Sequence, residues 1–210
     1  MIIGVPKEIK EQEQRVALLP SGTNELTKHG HSVLVQKDAG LGSGYPDHDY
    51  IKAGAEIVDQ AKEVFARADM IVKVKEPQLS ECPLFRPGQV LFTYLHLASS
   101  SELTKALLEA KVTAIAYETI EANDGTLPIL RGMKEIAGRL SVQVGARYLE
   151  KTQGGCGLLL AGVPGVEPAK VVVLGAGVVG SSATRIAVGM GAQVTVINLD
   201  IERLQYLDDL

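Results

Sequence analysis

Tryptophan is absent from this 210-residue chain, and three Phe and six Tyr bring the aromatic share to only 4%. That is little material for a platform on which nucleobases stack. Basic charge is not in excess: 21 Lys and Arg stand against 25 Asp and Glu, a net charge of −4 with a pI near 5.6. The balance offers no basic face to nucleic acid or to an anionic membrane. The only two cysteines, Cys82 and Cys156, lie far apart with no metal-like spacing, and read as free thiols of a reducing compartment. Long apolar runs are also missing. The most apolar stretch, 158–179, is interrupted by glycines, Pro164, Glu167 and Lys170, too often for a bilayer span. The N-terminal segment turns charged at Lys7, before a secretion signal could build its apolar core. A soluble cytoplasmic protein, with neither nucleic acid nor membrane as partner, is the expectation.

Hydrophobic residues make up 46% of the chain and charged ones 22%, which is ordinary for a protein that buries a core. Strand and helix signals alternate from the start. Short apolar strands are predicted at 2–5, 31–36, 70–74, 90–95 and 113–117. Helices are predicted at 21–28 (with Ser21 as cap), at 61–68 and at 101–110. In the second of these Ala61, Val64, Phe65 and Ala68 recur at helical spacing. The alternation predicts an α/β fold with a mostly parallel sheet and helices on both faces. A long helix is predicted over 133–152, with Ile136, Ala137, Leu140, Val144 and Tyr148 along one stripe.

The stretch from Lys170 to Asp200 carries most of the functional information. The apolar run Val171, Val172, Val173, Leu174 meets Gly175-Ala176-Gly177-Val178-Val179-Gly180, then a helix, then a second strand at 193–198. This is G-x-G-x-x-G between a strand and a helix, the setting in which it marks a dinucleotide site. Gly175 permits a tight turn, Gly177 lets the backbone approach a pyrophosphate, and Gly180 lets the helix pack on the strand. The helix N-terminus adds N–H groups and a partial positive charge. Residues 201–210 read as the opening of another helix.

Ligands of open α/β sheets bind beyond the carboxyl ends of strands. Two predicted strands run out at Lys75 (VKVKEP) and at His96 (TYLHL). A lysine can polarise a carbonyl or pair with a carboxylate, and a histidine can pass a proton near neutrality. Each is equally a solvated edge charge or a structural histidine on spacing alone. Arg15, in EIKEQEQRVALLP, is either a surface arginine or a bidentate carboxylate clamp.

The motifs VPKE, QRVALLP, KVKEP, FTYLHLA, AYETI, AGRLSVQVGARYLE, QGGCGLLLAGVPGV and VVVLGAGVVG, in that order, together resemble the alanine dehydrogenase family. That family shares a superfamily with the N-terminal part of the NAD(P) transhydrogenase alpha subunit. The resemblance covers the whole chain and implies a substrate domain joined to an NAD domain. It implies that Arg15 grips the substrate carboxylate and Lys75 polarises pyruvate. His96 is then the acid/base of imine hydrolysis, and Met133 lines the substrate pocket. Gly175, Gly177, Val178, Val179 and Gly180 form the pyrophosphate turn, and Arg203 flanks the cofactor. The implied reaction is oxidative deamination of L-alanine to pyruvate and ammonium with NAD, by a self-associating protein that is hexameric in the family.

The resemblance has three departures. The second strand of the nucleotide fold, which usually ends in an acid, ends at Asn198, with Asp200 two residues on and on the same face. Either can bond the adenosine ribose, and NAD preference is correspondingly softer. Lys134 stands where the family usually has serine, placed either to grip the pyrophosphate or simply to crowd it. The family chain is nearly twice as long, so these residues are expected to be an N-terminal portion, inactive alone. Domains are expected at 1–132 (substrate), 133–168 (linking helix and glycine-rich segment) and 169–210 (an incomplete NAD domain). The rival expectation is a cofactor-binding module similar to the NAD(H)-binding domain of proton-translocating transhydrogenase. A distantly similar saccharopine-type dehydrogenase is disfavoured by the closeness of the motifs.

Overall fold

The computed structural model describes residues 1–209, which fall into two units, Met1–Ile120 and the chain from Glu121 onward. The first holds six strands: β1 (Ile2–Val5), β2 (Ser32–Gln36), β3 (Glu56–Val58), β4 (Met70–Val72), β5 (Val90–Thr93) and β6 (Thr113–Ala116). They form one sheet in the order β3-β2-β1-β4-β5-β6, every pair parallel. Ile3 of β1 stands opposite Val33 on one side and Met70 on the other. Strands buried on both faces need unbroken apolar runs, which IIGV and SVLVQ supply.

Four helices accompany the sheet: α1 (Pro20–Lys28), α2 (Asp47–Lys52), α3 (Ala61–Arg67) and α4 (Ser101–Ala110). Two apolar clusters result. One gathers Leu34, Phe65, Ile71, Leu91 and Leu107, and includes the Phe65–Phe85 edge-to-face pair with centroids 5.0 Å apart. The other gathers Val5, Val33, Val35 and Tyr50. Ser100 caps α4 by accepting from the Leu103 N–H. Helix α1 differs from expectation, because Pro20 occupies its first turn and Leu19 flanks it without a side-chain cap. A proline already holds the helical φ there, so the helix starts one residue before Ser21. The chain-order reversal in this sheet falls between β1 and β4, the place where doubly wound sheets open a ligand site.

The second unit begins with helix α5 (Pro128–Leu149), then β7 (Lys170–Leu174), α6 (Val178–Gly189), β8 (Gln193–Ile197) and α7 (Ile201–Asp208). Leu210, which the sequence reading places in the last helix, lies outside the described residues. β7 and β8 pair in parallel, Val172 opposite Thr195. Helix α5 starts five residues earlier than expected, at Pro128. The apolar stripe on it is not its packing face: Ile136, Leu140, Val144 and Tyr148 are exposed. The buried positions are Gly138 and Val142. A Cβ on Gly138 would run into the carbonyl oxygen of Val179, so α5 meets α6 along its small residues and not its large ones. Val142 joins Leu160, Ala169, Ala183 and Ala187 in a third apolar cluster. No helix among the described residues is long and apolar enough to cross a membrane.

Candidate functional site

In the first unit, Arg15, Lys75 and His96 follow β1, β4 and β5, whose carboxyl ends lie side by side in the sheet. Lys75 is half-buried, whereas Arg15 and His96 are exposed. Arg15 and Lys75 share one electrostatic neighbourhood: the charge of Lys75 reaches Glu13, the partner of Arg15, and that of Arg15 reaches the Tyr94 hydroxyl.

Each of these residues is held by a carboxylate that sequence reasoning passed over. Behind Lys75 stands Glu8, whose Oε1 accepts the N–H groups of Val74 at 2.6 Å and Lys75 at 3.3 Å. Its other oxygen pairs with Lys73 Nζ at 3.1 Å, and Lys73 also meets Glu81 at 2.9 Å. Lys73 is wholly buried, with both carboxylates nearly so. Lys10 pairs with Glu76 beside them, so the segment after β1 is fastened to the segment after β4. The Thr93 hydroxyl donates to the carbonyl of Lys75 at 2.8 Å, fixing that residue from the β5 side as well.

Arg15 is oriented by Glu13, which receives Nε at 2.8 Å and Nη2 at 2.6 Å on its two oxygens. This side-on pairing is the geometry in which a guanidinium binds a carboxylate most tightly. The hydrogen bonds from Arg15 outweigh burial and hold the Glu13 carboxyl down at about 2. The linkage sign follows from a lowered folded-state value. The pair's contribution to stability is complete above about pH 4.3, where an unfolded glutamate is ionised, and is lost as pH falls further. Acid titration of the urea midpoint is expected to show the wild type losing its advantage over Glu13→Gln between about pH 4 and about pH 2. A constant gap between the two across that range would show that Glu13 gains nothing from Arg15.

His96 adopts a left-handed backbone, φ 46 and ψ 40, one of four non-glycine residues with positive φ among those described. For a residue with a Cβ this costs roughly 1–2 kcal/mol and has to be offset by surrounding bonds. The Glu118 carboxylate accepts its N–H at 2.6 Å, and Ser99 donates to its carbonyl through both N–H and Oγ.

In the second unit the glycine turn takes the conformation its residues imply. Gly175 has φ 98, and a Cβ on Gly180 would collide with the Gly175 carbonyl. Gly177 flanks the N-terminus of α6, and Val178 opens the helix. Asn198 is turned onto this motif, accepting the Ala176 N–H at 3.1 Å and donating to the Asp200 carbonyl. Asp200 caps α7 by accepting from the Arg203 N–H and pairs with the Arg203 side chain at 3.2 Å. A cavity of about 600 Å³ lies beside the turn, with Gly177, Val178, Asp200 and Arg203 in its wall. Arg131, Arg139 and Arg185, which the sequence reading did not select, also line it, together with Glu202 and with Glu135, which pairs with Arg131 at 3.2 Å and Arg139 at 3.7 Å. Met133 and Lys134 sit half-buried on α5, and neither is in that wall. A tight left-handed turn and the N-terminus of a longer helix suit a pyrophosphate, so the residues fit a dinucleotide.

Fold and turn together define a parallel α/β protein whose second unit contains a βαβ with a glycine-rich first turn. The chain belongs to the alanine dehydrogenase/PNT family: "Alanine dehydrogenase/PNT, N-terminal domain" matches residues 4–137 and "Alanine dehydrogenase/PNT, C-terminal domain" matches residues 141–210. An alanine dehydrogenase of Methanococcus maripaludis is 59% identical over 210 residues, all of this chain and 56% of the relative. One from Bacillus subtilis is 56% identical, again over the whole chain and 55% of the relative. A solved L-alanine dehydrogenase superposes with a TM-score of 0.94 at 55% identity, covering 100% of this chain and 58% of that one. A solved transhydrogenase from Sinorhizobium meliloti gives 0.82 at 29% identity, covering 99% and 60%. The chain therefore spans a little over half the length of the curated relatives it matches.

Proposed function

We propose that these residues belong to an NAD-dependent alanine dehydrogenase, a cytoplasmic homo-oligomer that interconverts L-alanine with pyruvate and ammonium. The supporting observation is the placement of Arg15, Lys75 and His96 after three neighbouring strands at the point where sheet order reverses. In this reading residues 1–132 form the substrate domain, 133–168 the link, and 169–210 the opening of the NAD domain.

Arg15 holds the substrate carboxylate, already aligned by Glu13. Lys75 donates to the keto oxygen of pyruvate and draws electron density from the carbonyl carbon. The His96 imidazole takes a proton from the water that adds to the imine carbon and returns one to the departing nitrogen. Met133 contributes an apolar wall. Bound NAD supplies the acceptor for the hydride of the alanine Cα. Gly175, Gly177, Val178, Val179, Gly180 and Arg203 hold its pyrophosphate, and Asn198 with Asp200 its adenosine end. A module that only presents a cofactor has no use for the trio in the first unit, which favours this reading over a transhydrogenase component.

The test is NADH oxidation at 340 nm with pyruvate and ammonium. It compares this chain alone with this chain completed by the C-terminal portion of the Methanococcus maripaludis relative. Turnover is expected in the completed chain and not in the 210 residues alone. A completed chain that folds and binds NADH but leaves pyruvate unreduced would favour the cofactor-binding module instead.

A further inference from the structure

We infer that Glu118 is the positioning residue of His96, holding the backbone from which the imidazole acts. The inference rests on the reading of His96 as the acid/base. AYETI is among the motifs that carry the family resemblance, yet the mechanism gives its glutamate nothing to do. Glu118 lies in the single 3₁₀ turn Tyr117–Thr119 that follows β6, the edge strand beside β5. Its side chain reaches across to the end of β5. Oε1 accepts the N–H groups of Leu95 at 3.2 Å and His96 at 2.6 Å, and Oε2 also lies 3.2 Å from Leu95 N.

Two successive amides converging on one carboxylate make a small anion-binding concavity, which fixes the peptide plane that enters His96. Glu118 therefore anchors the peptide plane on the N-terminal side of the left-handed His96, whose φ of 46 turns the chain after that held amide. The turn that presents Glu118 is itself keyed to β5. The Tyr117 ring meets Phe92 and Tyr94 edge-to-face, with centroids 4.4 and 5.0 Å away, and burial pushes its hydroxyl pKa up. At the other end, Ser99 occupies the His96 carbonyl twice. The main chain of His96 is thus bracketed on both sides while the residue stays exposed.

The test uses Glu118→Gln and Glu118→Ala, and has two arms. In the 210-residue chain, amide NMR is expected to place the His96 N–H far downfield, as a short bond to a carboxylate requires. That signal moves upfield in Glu118→Ala and less so in Glu118→Gln, which keeps one acceptor oxygen. In the chain completed as above, Glu118→Ala is expected to lower kcat about 10²-fold, the penalty of a displaced catalytic group. The KM for pyruvate should stay within about threefold, because Arg15 and Lys75 are untouched. Glu118→Gln should fall between, and it serves as the probe if the alanine variant does not fold. Unmoved Leu95 and His96 amides would overturn the inference, as would a displaced His96 amide with unchanged kcat. If the unsubstituted completed chain has no turnover, the dehydrogenase reading fails and the role of His96 with it. The amide arm still reports separately whether Glu118 holds that backbone.

Discussion

Replacing His96 by asparagine is expected to lower the turnover of pyruvate by roughly 10²–10⁴-fold, the contribution of one positioned acid/base. Asparagine is the informative choice because position 96 is left-handed. Its short amide side chain tolerates that conformation better than most, so the backbone and its bonds to Glu118 and Ser99 should survive. What disappears is a group able to give and take a proton. The KM for pyruvate should change by no more than about threefold, since carboxylate and carbonyl binding reside in Arg15 and Lys75. Steady-state kinetics on the completed chain measure both quantities together with NADH affinity. A variant keeping most of its kcat would remove His96 from the chemistry. A large rise in KM with kcat unchanged would make it a binding residue instead.

Much of this site was legible in the sequence, and the illegible part has a common physical origin. Apolar alternation locates β4 and β5, yet it overruns both: strands predicted at 70–74 and 90–95 end at Val72 and Thr93. Beyond those points Val74, Leu95 and His96 give their N–H groups to Glu8 and Glu118, which arrive from the neighbouring strands β1 and β6. Nothing in KVKEP or TYLHL records a carboxylate that lies 22 to 67 positions away in the chain. The short motifs VPKE and AYETI contain those glutamates, but only the sheet order makes them partners. The packing face of α5 was illegible for a related reason. Large apolar side chains are the usual mark of a packing face, whereas here close approach to α6 selects Gly138. The glycine turn was the most legible feature, because its constraints are local: positive φ at Gly175 and no room for a side chain at Gly180.

Lys73→Met is expected to destabilise the first unit by about 3–5 kcal/mol, a large share of what holds a domain folded. The lysine is 0% exposed and lies 3.1 Å from Glu8 and 2.9 Å from Glu81, whose side chains are 4% and 5% exposed. Methionine matches its length and apolar stem, so little packing is lost. The damage comes from stranding two carboxylates in a region where neither can regain water. Their remaining partners are the N–H groups of Val74, Lys75 and Gln78, which supply no neutralising charge. Urea unfolding of the variant beside the wild type measures the gap. Adding Glu81→Gln to Lys73→Met should recover part of the loss, because one of the two stranded charges is gone, and a double-mutant cycle would measure that coupling. A small gap would mean that water reaches these carboxylates and that the buried triad does not hold the end of β4. In that case Lys75 would lose its fixed platform. The cycle thus reports on the fold and, through Glu8, on the residue proposed to polarise the substrate.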